Sequence, residues 1–126
     1  MNFNDAKAYL LGKPEAVLDY PFGAEIAVFK VHKKMFATLV ETGGSPFSNL
    51  KCNPEESTML RDLFPEVVPG YHMNKKHWNT VQLDGNLPRG EIERMVDNSY
   101  TLVVKSLPGH VRLSLELKYG SDIVYC

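Results

Sequence analysis

The residues with the clearest chemical potential are two pairs of adjacent lysines, Lys33-Lys34 and Lys75-Lys76. Each pair stands in a short polar stretch between two runs of apolar and β-branched residues, which is the pattern of a β-hairpin turn. Lysines at a hairpin tip can bind the phosphates of a polyanion backbone. They also keep a turn soluble, so the pattern by itself is compatible with both interpretations.

A histidine borders each lysine pair, since His32 precedes the first and His77 follows the second. Imidazoles add positive charge in mildly acidic solution. Trp78 comes next, and its ring could stack on a base or pack beneath the hairpin. The candidate nucleic-acid-binding residues are Lys30, His32, Lys33, Lys34, Lys75, Lys76, His77 and Trp78.

The charge of the chain is segregated along the sequence. Residues 26–40 and 70–83 contain five of the 14 Lys and Arg residues and none of the 15 Asp and Glu residues. These two segments therefore carry +5 and the rest of the chain carries −6, for a formal net charge of −1. Because the chain as a whole is not basic, a polyanionic partner would have to be held by this local patch.

The sequence around these lysines predicts both strands and helices. Residues 25–31 and 35–40 are expected to form the first hairpin, with 48–52 as a third strand. The second hairpin is expected to pair 71–73 with 77–83.

Three helices are expected around these strands. A short one begins at a capping residue, Asn4, and a second begins at Asn53, where Pro54 and Glu56 complete a capping pattern. The longest is opened by Pro88 and ended by Pro108. This order predicts an α+β two-layer sandwich, with a mainly antiparallel sheet and helices on one face.

The last segment alternates apolar and polar residues from Val111 to Tyr119, which predicts an added edge strand. An amphipathic helix and a partly ordered tail remain alternatives. We therefore divide the chain into a domain at 1–108 and a C-terminal extension at 109–126. An uncovered edge strand can pair two chains, so we expect a monomer or a weak homodimer formed through the extension.

Composition narrows the class of protein. With 126 residues, 44% of them hydrophobic and 23% charged, the chain is typical of one globular domain. It contains no long apolar stretch and no signal-peptide pattern, so we expect a cytoplasmic protein with no membrane partner. The two cysteines, Cys52 and Cys126, are expected to be free thiols.

Catalytic motifs are missing from the sequence. His72 and His77 lack the further ligands of a zinc or iron site, and Cys52 stands in an apolar strand as a buried, inert thiol would. Neither a nucleophile elbow nor a phosphate-binding glycine loop is present. We therefore expect no enzyme activity and no cofactor.

Several stretches resemble the MmcQ/YjbR family of small bacterial proteins, which are described as DNA-binding. The matching stretches are Asp19-Tyr20-Pro21-Phe22-Gly23, residues 31–36, residues 69–81 and residues 97–103. The resemblance spans nearly the whole of residues 1–108. It implies a fold related to the CyaY/frataxin type and a "double wing" surface made by the two hairpins. Together with the segregated charge, it leads us to expect weak, largely sequence-independent binding of double-stranded DNA.

Two other functions are considered. Iron handling of the frataxin kind is disfavoured, because hard cations need a row of carboxylates and the first helix offers only Asp5. A small-ligand or protein-binding module is the alternative, because aromatic and polar groups together suit a ligand cleft as well as a core. The residues of that expected cleft are Tyr20, Phe22, Tyr71, His72 and Trp78.

Overall fold

The computed structural model describes residues 1–71 and 73–126 and forms one antiparallel sheet with helices on one side. The strands are β1 (Ala16–Asp19), β2 (Ala27–Val31), β3 (Lys34–Thr42), β4 (Ser45–Lys51), β5 (Val67–Pro69) and β6 (Trp78–Gln82). The helices are α1 (Phe3–Leu11), α2 (Pro54–Leu63), α3 (Arg89–Lys105), α4 (Gly109–Tyr119) and α5 (Ser121–Val124). The α+β class, the antiparallel sheet and the first hairpin are confirmed.

The sheet has six strands in the order β1-β2-β3-β4-β6-β5, and each neighbouring pair is antiparallel. One face packs against the helices: Asn79 of β6 accepts a hydrogen bond from Ser57 of α2, and Tyr100 of α3 packs edge-on against Phe36 of β3. The helix-side core includes Leu10, which is 1% exposed, from α1. The helices therefore lie on one face of the sheet, as expected.

The helix starts follow from local capping. At α2, the Asn53 side chain accepts from the backbone N–H of Glu56 and Pro54 occupies the first turn, as predicted. At α1, the cap is Asn2 rather than Asn4, because Asn2 and Asp5 satisfy each other's backbone N–H groups in a capping box. The first helix therefore begins one residue before the predicted cap.

Two strands differ from the prediction. Strand β1 was not predicted, and the first strand of the second hairpin is β5 rather than residues 71–73. Val67 pairs with Val81, whereas Tyr71 and Met73 belong to the connection that follows. His72 lies outside the described residues. Directly after this strand, Gly70 donates to the Trp78 carbonyl and packs so closely on Trp78 that a Cβ there would lie 2.8 Å from the Trp78 Cβ, so this position requires glycine.

The predicted edge strand at 111–119 is wrong, because these residues form α4. Val111, Leu115 and Tyr119 are spaced by four, so they share one helix face as well as one strand face. Leu115 is fully buried and the other two are partly buried against the core. The strand that would have joined two chains is therefore absent from the described extension. Among the described residues, no helix combines the length and apolar character needed to span a bilayer.

Candidate nucleic-acid interface at one end of the sheet

The strand registers bring the two lysine tips to the same end of the sheet. Ala37, near the start of β3, pairs with Leu50 near the end of β4, and the next residue, Lys51, pairs with Trp78 at the start of β6. The turn before β3 and the connection before β6 therefore project from one end. We call this the basic end, and its residues are His32, Lys33, Lys34, Lys51, Lys75, Lys76 and His77.

The separation of the tips follows from the strand order. The first turn joins β2 and β3, and the second connection joins β5 and β6, with β4 in between. The centres of the tips are thus three strand spacings apart, or about 14 Å. This distance could not be predicted from the sequence. It depends on β6 lying beside β4 and on β5 lying at the edge, and no short stretch of residues encodes that order.

The first tip is a two-residue turn whose backbone is strained. His32 has φ 46° and Lys33 has φ 71°, the left-handed region that suits a tight hairpin but disfavours side chains with a Cβ. The next hairpin, between β3 and β4, adopts the same left-handed region with Gly43 and Gly44. The first turn therefore has a histidine and a lysine at the two positions that glycine occupies in the neighbouring turn.

The lysines of the basic end differ in their partners. The ammonium of Lys34 donates to the carbonyl and hydroxyl oxygens of Ser106, at the end of α3, and that of Lys75 donates to the Gly70 carbonyl. Lys33 and Lys76 are exposed and have no side-chain partner among the described residues. Lys33 and Lys76 are therefore the ammonium groups most available to an anion.

Lys30 lies away from the tips. It sits on the sheet face turned away from the helices, opposite Val17 of β1, and its ammonium is 3.0 Å from the Asp19 carboxylate. Hydrogen bonds from the Lys30 ammonium and from the Tyr20 backbone hold the pKa of Asp19 below its usual value. This candidate is thus paired with an acid and is not part of the basic end.

The second tip is held by a residue that the sequence analysis did not select. Arg61 of α2 donates to the backbone carbonyls of Lys75 and Trp78 and to the side chain of Asn79. Arg61 therefore fixes backbone carbonyl groups of the connection, while Lys75 and Lys76 remain exposed. Lys51 was also missed, although its place at the end of an alternating strand could have indicated a solvent-facing lysine.

His32 is linked to the body of the protein through Glu15. Its Nε2 lies 2.8 Å from a Glu15 carboxylate oxygen, and the Lys118 ammonium lies 3.6 Å from the other. Burial alone would raise the pKa of Glu15, but hydrogen bonds from His32 and Tyr119 and the charge of Lys118 hold it below 4.5.

This arrangement predicts a pH-dependent contribution to stability. A carboxylate whose pKa is depressed by folding stabilises the protein above its unfolded pKa and loses that effect as the pH falls through the folded value. We expect Glu15→Gln to lower the free energy of unfolding at pH 7 by less than about 1 kcal/mol, since the group is partly exposed. The difference from the parent should shrink below pH 4.5, measured by urea unfolding across pH 3–7. Glu25→Gln is the control, and an equal loss at every pH would contradict the prediction.

The expected aromatic cleft is not formed as predicted. Tyr20 directly follows β1 at one edge of the sheet, whereas the backbone N–H of Tyr71 donates to Thr80 in β6. Strands β1 and β6 are four spacings apart, or about 19 Å. Phe22 follows Tyr20, Trp78 begins β6, and His72 lies outside the described residues. The described residues of the expected cleft therefore lie towards opposite edges of the sheet, Tyr20 and Phe22 near β1 and Tyr71 and Trp78 near β6.

The described part of the chain gives little support for metal binding or for a reactive cysteine. It holds no group of three or more His, Cys, Asp or Glu side chains that could bind a metal ion. Cys52 is buried at the end of β4, and burial raises the pKa of its thiol to about 11. This thiol is therefore protonated and unreactive at neutral pH, in line with the sequence-based interpretation.

The fold and this end define a small α+β protein with a one-sided antiparallel sheet that projects two lysine-bearing loops in the same direction. A sequence model of the YjbR family matches residues 11–102. The chain belongs to the YjbR family.

Individual relatives agree with this assignment. The chain is 39% identical to protein YbdF of Escherichia coli O157:H7, over 81% of this chain and 84% of that protein. It is 36% identical to protein YjbR of Escherichia coli strain K12, over 89% and 95%. The crystal structure of Deinococcus radiodurans protein DR2400 superposes with a TM-score of 0.84 at 34% identity, covering 90% of this chain and 87% of that one. The family resemblance and the α+β fold with an antiparallel sheet are therefore confirmed.

Proposed function

We propose that this protein is a non-enzymatic DNA-binding protein that contacts the phosphates of double-stranded DNA through the two loops of its basic end. The observation that carries the proposal is the register that brings both lysine tips to one end of the sheet. Lys33 and Lys76 make the leading contacts, and Lys51, Lys75 and Lys34 add positive charge behind them. The cytoplasm, where bacterial DNA is found, is the compartment that this function requires.

The spacing of the tips suits a duplex. About 14 Å separates them by strand geometry, which is close to the roughly 12 Å width of the major groove of B-DNA. One tip can therefore reach the phosphates on each side of the groove. Contacts of this kind fix position and orientation but read no bases, so sequence preference is expected to be small.

The strained first turn supports the same function. A glycine at position 33 would relieve the left-handed backbone, as Gly43 and Gly44 do at the neighbouring turn. Non-glycine residues in this region persist where their side chains are used, and they are often found at binding sites. The proposal explains why a lysine stands where a tight hairpin favours glycine.

The expected affinity is low. Glu55 and Glu56 lie in the first turn of α2, just after β4, so acids border the basic end. A handful of lysines on a protein of net charge −1 gives non-specific dissociation constants of about 10⁻⁴ to 10⁻⁶ M at physiological salt.

The test is a salt-dependent titration of labelled duplex DNA, followed by fluorescence anisotropy. We expect a log–log salt slope of about −3 to −5 for the parent protein, from roughly −0.9 per phosphate contact. The variant Lys33→Gly/Lys76→Ala should weaken binding roughly 10- to 100-fold at 0.1 M salt and make the slope about two units shallower. Glycine is chosen at 33 because alanine would retain the backbone strain.

The matched control is Lys7→Ala/Arg89→Ala, which removes the same two charges from α1 and the start of α3. Arg89 pairs with Asp5 and Glu93, away from the basic end. This control should keep the parent affinity and slope. Equal weakening in both double variants would show that only net charge matters, and it would refute the assignment to the tips. Thermal melts should show that Lys33→Gly/Lys76→Ala is at least as stable as its parent.

A further inference from the structure

The sheet face turned away from the helices carries an organised set of side chains beside the basic end. In β4, residues 47, 49 and 51 are partly exposed, whereas Ser48 and Leu50 are each 2% exposed and face the helices. In β6, residues 78, 80 and 82 are partly exposed, whereas Asn79 and Val81 are buried. We call this surface the open face, and its residues are Phe47, Asn49, Lys51, Trp78, Thr80 and Gln82.

The strand register arranges the open face in three rows of cross-strand pairs. Lys51 is opposite Trp78, next to the basic end. Asn49 is opposite Thr80, and Phe47 is opposite Gln82 farther along the strands. Side chains directly opposite each other have Cβ atoms about 4.5–5.5 Å apart. A lysine and an indole ring thus stand side by side at the point where the basic end meets the sheet.

The middle row supplies polar groups of fixed orientation. Thr80 donates to the side-chain oxygen of Asn49, and the Tyr71 backbone N–H donates to the Thr80 hydroxyl at 2.9 Å. The Asn49 amide NH₂ is left without a partner among the described residues. Tyr71 is 69% exposed and adjoins this row. The face therefore combines aromatic rings, an available amide and a lysine.

A duplex cannot use such a face, because its bases are stacked on one another inside the helix. Unpaired bases can, since every base has a π-face that stacks on an aromatic ring and edges that accept hydrogen bonds. Charge favours the same occupant: the basic end attracts the backbone, and Lys51 beside Trp78 can hold a phosphate next to a stacked base.

We infer that the open face binds the unpaired bases of single-stranded DNA, with one base stacked on Trp78 and the backbone following Lys51 towards the tips. The inference rests on the proposed function, because the basic end supplies the backbone contacts in both cases. It adds a class of substrate: a strand separated from its complement should bind more tightly than the duplex.

The experiment compares a labelled 12-nucleotide oligothymidylate with a labelled 12-base-pair duplex under identical salt. Trp78 is the single tryptophan, so its fluorescence reports on the open face. We expect the oligothymidylate to quench it and to bind more tightly than the duplex, which should leave it nearly unchanged. Trp78→Leu should weaken single-strand binding by about 5- to 150-fold, the range measured for loss of one base–aromatic stack. Its duplex affinity should stay within about twofold of the parent.

A second variant and a matched control guard against misfolding. Tyr71→Leu alters an exposed ring of the same surface and should also weaken single-strand binding, whereas Tyr20→Leu, at the opposite edge, should not. Unchanged single-strand affinity in both Trp78→Leu and Tyr71→Leu, with duplex binding intact, would overturn this inference and leave the proposed function standing. If neither DNA binds the parent protein at low salt, both proposals fail.

Discussion

Replacing Asp97 by alanine is expected to lower the free energy of unfolding by about 3–5 kcal/mol. One Asp97 oxygen accepts from the Lys13 ammonium and from the Tyr9 hydroxyl, each at 2.8 Å, and Lys13 is only 8% exposed. Without the carboxylate, the ammonium stays buried beside the ring of Tyr100, and this uncompensated charge destabilises the folded state. Urea unfolding at pH 7 measures the loss.

The control for this prediction removes both charges together. Lys13→Met/Asp97→Ala leaves no buried ammonium, so it should be more stable than Asp97→Ala alone even though it carries more substitutions. A double variant as unstable as the single would show that packing around Asp97, rather than its charge, is responsible.

Replacing Ser99 by alanine is expected to lower the free energy of unfolding by about 2–3 kcal/mol and the melting temperature by roughly 10 °C. Ser99 is fully buried on α3. Its hydroxyl donates to the carbonyl of Phe36 at 2.5 Å and accepts from the backbone N–H of Lys51 at 2.8 Å. Phe36 is the extra residue of a bulge in β3, because Phe29 pairs with Ala37 and Lys30 with Met35. The alanine variant thus leaves the buried Phe36 carbonyl and the partly buried Lys51 N–H without this partner.

The exposed Ser114 of α4 provides a control, since Ser114→Ala removes a hydroxyl of the same kind with no buried partner and should change stability by less than about 0.5 kcal/mol. Thermal denaturation followed by circular dichroism distinguishes the two variants. If Ser99→Ala melts within 2 °C of its parent, the hydroxyl bridge does not stabilise the strands that carry the basic end.

The sequence predicted the elements whose signals are local. The first hairpin follows from two β-branched runs around His32 and Lys33, and α2 follows from Asn53 and Pro54 at its start. Pro108 was predicted to end the longest helix, and α3 ends shortly before it, at Lys105. In each case, residues that are close together in the sequence determine the element.

The features that escaped prediction depend on contacts distant in sequence. Arg61 acts on the second tip only because α2 packs beside β6, and the Lys34 ammonium is hydrogen-bonded by Ser106, 72 residues away. The short strand β1 exists because β2 offers it a free edge. The tip spacing likewise depends on the order of the strands, which no single segment encodes.

The spacing of apolar residues in α4 also affects how the protein behaves when it is not folded. Leu113 and Leu117 are 55% and 79% exposed on the helix face opposite Leu115. When α4 unwinds, all five alternating apolar residues from Val111 to Tyr119 can line one side of an extended segment. Such a segment can add to the free edge of β1 or β5 in another molecule, although both edges are short, which limits this reaction. Partial unfolding at the C-terminus is therefore the step at which we expect heat to start aggregation.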